Sequence, residues 1–121
     1  MVGENCFLRE DNTLQAFSSI GDNVVLAGGV TLSHHVRVED NVYIASEANV
    51  GGEAKIGANS FLGMNSTICD HIDVAPYTFI GAAALISKNT KAGSVHKGVP
   101  ADSTALDSRR IPMMRINVGN P

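Results

Sequence analysis

The chain has 121 residues, of which 44% are hydrophobic, 17% charged and 5% aromatic, with a net charge of −3. That length fits one domain, and scattered Lys and Arg without a basic run argue against nucleic acid as a partner. No apolar run approaches the roughly 18–20 residues that cross a bilayer and no charged-then-apolar leader opens the chain, so no membrane is expected and the cytoplasm is the expected compartment.

From Val2 to Lys91 the sequence keeps a six-residue beat without insertion. Val2, Leu8, Leu14, Ile20, Leu26, Leu32, Val38, Ile44, Val50, Ile56, Leu62, Ile68, Val74, Ile80 and Ile86 follow one another at that spacing. Four residues after each comes a second, mostly smaller residue, from Cys6 and Asn12 to Ala84 and Thr90. Glycine follows the aliphatic at 3, 21, 51, 57, 63 and 81. A helix cannot hold period six on one face, because 3.6 residues per turn rotate the stripe away. A coil of short strands and corners can, and a fixed repeat of this kind means a solenoid. Three hexapeptides per coil make a triangular prism of eighteen residues per turn. The reading is therefore all-β: a parallel β-helix of about five coils over 1–91, with an irregular C-terminal tail over 92–121.

The first coil, 2–19, begins at once, and its open strand edges and bare aliphatic layer are expected either to need a partner or to belong to a longer ancestral protein. The second and third, 20–37 and 38–55, carry the candidate chemistry, and 56–73 and 74–91 complete the stack. Cys6 falls on the inward column and Cys69 at a corner, a pair that makes no metal motif and is not expected to form a disulfide. Beyond Ala92 the beat stops. Gly93, Gly98, Pro100 and Pro112 punctuate the tail, in which a short helix over about 103–110 is expected, capped by Ser103 and folding over the last coil. His96 reads as solvated.

The chemical candidate is Leu32-Ser33-His34-His35-Val36-Arg37-Val38-Glu39-Asp40. Two adjacent histidines at a corner are either solvated surface residues or the source of one general base, imidazole being the side chain that exchanges protons at neutral pH. One coil is eighteen residues, so His34 lies beneath Gly52, about 4.8 Å away. Gly52 belongs to the pair Gly51-Gly52, which is either a tight corner or a place where bare N–H groups could stabilise charge developing on a thioester oxygen. The same step of eighteen aligns Ser46, Met64 and Ala82 as a straight track.

With these residues stand Val50-Gly51-Gly52, the run from Phe61 to Ile68, the run from Ile80 to Asn89, and Gly98-Val99-Pro100-Ala101. Together they resemble the hexapeptide-repeat acyl-CoA-dependent acetyltransferases of the sialic-acid O-acetyltransferase and nucleotide-amino-sugar N-acetyltransferase group, over roughly 2–101. The resemblance implies a left-handed helix, acetyl-CoA as acyl donor, a small acceptor with an amine or hydroxyl (an amino sugar being one candidate), and a homotrimer with each site between two prisms. It places His34 as general base, His35 where relatives often carry an acidic residue that orients the base, and Gly52 as backbone donor to the thioester carbonyl. Gly63, Met64, Gly81 and Ala82 fall on the wall that binds the pantetheine arm, and Gly98 and Pro100 on the loop near the nucleotide end. No metal is implied. Relatives usually carry a sugar-nucleotide-binding domain ahead of the helix, and this sequence is expected to lack it.

Two other readings stand beside this one. A metal-dependent hydratase resembling γ-class carbonic anhydrases would use His35 and His71, two coils apart, but its third ligand position holds Pro76. A non-catalytic trimeric scaffold would need none of these residues.

Overall fold

Each six-residue unit is built from two extended residues and a corner. In the pairs from Ser19–Ile20 to Leu85–Ile86 the second residue is buried and the first faces outward, the period-two alternation of a pleated strand. Three residues after the aliphatic, the backbone turns through the left-handed region, with φ near +60° at Asn5, Asp11, Phe17, Asn23 and onward every six residues to Ala83, Gly29 taking its place in the series. That single dihedral excursion bends the chain onto the next side of a prism.

The computed structural model describes residues 1–115 of the chain. Three parallel sheets form a β-helix of about five turns. The first face stacks Phe7–Leu8, Val25–Leu26, Tyr43–Ile44, Phe61–Leu62, Phe79–Ile80 and Val95–His96; the second runs from Thr13–Leu14 to Leu85–Ile86; the third runs from Ser19–Ile20 to Asp73–Val74. Strands pair at a register of eighteen, as in Phe7↔Val25 and Ser19↔Arg37. The inward aliphatics form one continuous core, with Leu26, Leu32, Ile44, Ile56, Leu62 and Ile80 fully buried. Val2, Leu8 and Leu14 occupy the same inward positions yet are 45%, 37% and 38% exposed, because they form the end layer of the stack. Both cysteines are free and pack against the core edge. No helix among the described residues is long and apolar enough to cross a membrane.

The C-terminal side departs from expectation. Where the hexapeptide beat fades, Val95–His96 adds a further strand, pairing Phe79↔Val95 at a register of sixteen. This coil closes two residues short because side chains substitute for backbone: Asn89 Oδ1 accepts from the Asp73 N–H at 2.8 Å and Thr90 Oγ1 from the Ala75 N–H at 2.9 Å. His96 is accordingly half-buried, its Nε2 2.9 Å from Ser94 Oγ, rather than solvated. The helix expected from Ser103 is replaced by two 3-10 turns, Ser108–Arg110 and Pro112–Arg115. Asp107, not Ser103, caps the first, accepting from the Arg109 N–H at 2.9 Å. Residues 101–114 are exposed and bury no face on the last coil, and so short a segment without a packed face does not sustain an α-helix.

Candidate functional site

The prism has three edges, and their corner residues differ in kind. One edge carries Asn5, Asn23, Asn41, Asn59 and Tyr77; the next Asp11, Gly29, Glu47, Asn65 and Ala83; the third Phe17, His35, Glu53 and His71. All sit at positive φ, a conformation that Gly, Asn and Asp tolerate and other side chains resist at roughly 1–2 kcal/mol each. The third edge uses none of the three tolerant types, though histidine adopts this region more readily than most.

The third edge is the one that holds His34, and the backbone fixes its column. The His35 N–H donates to the Ala16 carbonyl at 3.0 Å, the Glu53 N–H to the His34 carbonyl at 2.9 Å, and the His71 N–H to the Gly52 carbonyl at 2.9 Å. His34 and His35 present their Nδ1 atoms to each other at 3.2 Å, one donating and the other accepting. The His35 ring stacks on Phe17 with centroids 5.1 Å apart. Above it, Glu53 Oε2 meets His71 Nδ1 at 3.0 Å. The His34 ring lies against Gly52, where an added Cβ would meet its Nε2 and lie 2.7 Å from its Cε1. Gly52 thus leaves room for the His34 ring.

The expectation of bare amides at Gly51-Gly52 is corrected. The Gly52 N–H donates to Asp70 Oδ1 at 2.9 Å, and the Gly51 N–H to the Ile68 carbonyl at 2.8 Å. The carboxylate belongs to a recurring device: Asp22 accepts likewise from the Glu4 N–H, and Asp40 from the Asp22 N–H. Stepping eighteen residues from Gly52 lands on Asp70, so this partner was readable from the repeat.

The remaining expected residues gather on a different edge, between the first and second faces. Met64 and Ala82 are exposed and stacked one coil apart, the Ala83 N–H donating to the Met64 carbonyl at 2.8 Å. Gly63 and Gly81 spend their N–H groups on the strand ladder, both at 2.7 Å, to Ile80 and His96. Among the described residues, the Met64 and Ala82 N–H groups make no hydrogen bond within the chain. Gly81, Ala82, Gly98 and Pro100 share an open apolar groove of about 500 Å³ with Phe79 and Val99. Within one chain, the second face separates this groove from His34. The hydratase pair, His35 and His71, has Glu53 between its members, and Pro76 offers no ligand atom.

This sequence matches no protein-family model and no curated protein. Its structure is similar to solved ones. The acetyltransferase domain of PglB from Neisseria gonorrhoeae superposes with a TM-score of 0.80 at 24% identity, over 86% of this chain and 51% of that one. The same domain in complex with acetyl coenzyme A gives 0.72 at 22%, over 85% and 54%. A GDP-perosamine N-acetyltransferase mutant from Caulobacter crescentus, in complex with CoA and GDP-perosamine, gives 0.57 at 15%, over 80% and 52%. These likenesses establish the fold. The chain spans about half the length of the solved proteins it matches.

Proposed function

We propose that this chain transfers an acetyl group from acetyl-CoA to an amine or hydroxyl of a small acceptor, an amino sugar being the class favoured. The observation that carries the reading is the His34 imidazole, anchored at Nδ1 by His35 and seated at its other edge against a glycine, on a fold shared with acetyltransferase domains. One such domain is solved with acetyl coenzyme A, and another neighbour is an N-acetyltransferase solved with CoA and a nucleotide sugar.

In this reading His34 Nε2 takes the proton from the acceptor nitrogen or oxygen as its lone pair attacks the thioester carbon. The tetrahedral intermediate collapses, the C–S bond breaks, and the proton passes from His34 to the departing CoA thiolate. His35 orients the base through the Nδ1 contact. Gly52 contributes space, its N–H being committed to Asp70. The unengaged Met64 and Ala82 N–H groups suit the amide carbonyls of an extended pantetheine arm, and the apolar groove lined by Gly98 and Pro100 suits its far end. Because groove and base lie on different edges, a complete site calls for two chains, with the groove of one facing the His34 edge of the next. A homotrimer with parallel axes supplies three such junctions.

The test compares the two histidines with acetyl-CoA and a panel of amino sugars, amines and alcohols, following release of free thiol. His34→Ala is expected to lower kcat/KM by about 10²–10⁴-fold with little change in acetyl-CoA affinity, and His35→Ala by less. Near-normal turnover by a correctly assembled His34→Ala protein overturns the assignment.

A further inference from the structure

The third edge holds more chemistry than a base requires. His34, His35 and Glu53 each bring a ligand atom to within 4.8 Å of the other two. Among the described residues no other group of three such donors comes this close. The two Nδ1 atoms are 3.2 Å apart. Two imidazole nitrogens on one tetrahedral zinc-class ion, at bonds of 2.0–2.1 Å, sit about 3.3 Å apart. The contact now filled by a shared hydrogen is therefore already the size of a coordination edge.

The donors are also held in place. Phe17 stacks beneath His35 and fixes its ring plane. His71 binds one oxygen of the Glu53 carboxylate from the coil above, at 3.0 Å, the kind of outer hydrogen bond that orients a ligating carboxylate and leaves its other oxygen to bond. Backbone hydrogen bonds from Glu53 to His34 and from His71 to Gly52 lock the spacing between coils. Two neutral imidazoles and one carboxylate form a donor set of intermediate hardness, suited to Zn²⁺ or Co²⁺ rather than Mg²⁺ or Ca²⁺.

We propose that His34, His35 and Glu53 form a binding site for a divalent transition-metal ion, with His71 holding the carboxylate. The ion takes the place of the hydrogen shared between the two Nδ1 atoms, the imidazole that carried it holding its proton on Nε2 instead, and binding needs neither CoA nor an acceptor. An ion at His34 engages the same ring that the acyl-transfer reading uses as its base, so metal and base action compete.

The experiment titrates the full chain with Co²⁺, reading visible d–d absorbance, and with Zn²⁺ against a chromophoric chelator, with circular dichroism confirming that each variant is folded. The wild type should take up one ion per chain. His34→Ala, His35→Ala and Glu53→Gln should each abolish saturable binding, and His71→Ala should weaken it about ten-fold or more. His96→Ala, a histidine in the last coil, should bind as the wild type does. Uptake well below one ion per chain overturns the proposal, as does unchanged binding in Glu53→Gln or His35→Ala. Since the readout involves no acetyl transfer, loss of the metal site and loss of the acyltransferase reading are separate results.

Discussion

Ser66 and Ser60 sit one hexapeptide apart, at equivalent inward positions on neighbouring edges of the prism, both buried, and the structure treats them oppositely. Ser60 Oγ accepts from the Thr78 N–H at 3.1 Å and donates to the Ala75 carbonyl at 3.2 Å. Ser66 Oγ is buried without a hydrogen-bond partner among the described residues. Burying an unpaired hydroxyl costs about 1–3 kcal/mol, whereas a satisfied one is mildly stabilising. Ser66→Ala should therefore raise the free energy of unfolding by about 1 kcal/mol and Ser60→Ala should lower it, since the latter strands the Thr78 amide. Paired urea titrations read the sign directly; a loss of stability in Ser66→Ala would mean that its hydroxyl has a partner after all. Asp107 is a second local case, at the surface. The Arg109 guanidinium beside it holds its carboxyl below the usual carboxylate range. A depressed pKa means that the contribution of this cap is present above the ordinary carboxylate range and fades as pH falls through the lowered value.

At the level of the repeating unit, the corner sets the terms. Asn5 Nδ2 donates to Asn23 Oδ1 at 2.7 Å and Asn23 Nδ2 to Asn41 Oδ1 at 3.1 Å, so one edge has both a tolerant residue type and a side-chain ladder. Tyr77 ends that series at φ 59° with two thirds of its surface exposed. Tyr77→Asn should stabilise the fold by about 1 kcal/mol through relief of the left-handed penalty, seen as a higher urea midpoint with an unchanged slope. A lower midpoint would show that the Tyr77 ring contributes more packing than its exposure implies. The strands themselves were legible in the sequence, since an inward residue must be aliphatic in every coil and Val2 to Ile86 are. The alignment of His34 with Gly52 and of Met64 with Ala82 followed from the same period. What escaped was hydrogen bonding by side chains: Asp70 on the Gly52 amide, and Asn89 and Thr90 standing in for strand carbonyls, which let Val95–His96 join the first face after the pattern had faded. Glu53 escaped as a neighbour of His34 because it lies nineteen residues away in sequence, one residue beyond the eighteen-residue step that sets Gly52 over His34.

For the whole molecule, the first face is the surface that invites company. Tyr43, Phe61 and Phe79 stack outward with centroids 5.5 and 5.0 Å apart, and Tyr43 and Phe79 are each more than 40% exposed. A continuous exposed apolar ladder of this kind marks an interaction surface, and it borders the groove that the acyl-transfer reading places between chains. Light scattering should give three times the 12.7 kDa chain mass, and Phe61→Glu should shift the protein to a smaller species; a monomeric wild type would remove the shared site. Register carries a consequence for how such a protein can change over time. Every stacked column exists only because eighteen residues return the chain to the same edge, so length here behaves as a reading frame does. Removing six residues between Glu53 and Asp70 would swing Asp70 to another edge and strip Gly52 of its carboxylate, while a whole added coil would leave every column aligned. The last coil illustrates a tolerated slip: closing two residues early, it sets Gly98 rather than Pro100 over Ala82, where a side chain would strike the Ala82 carbonyl oxygen. A frameshift survives at that one point because a glycine meets it.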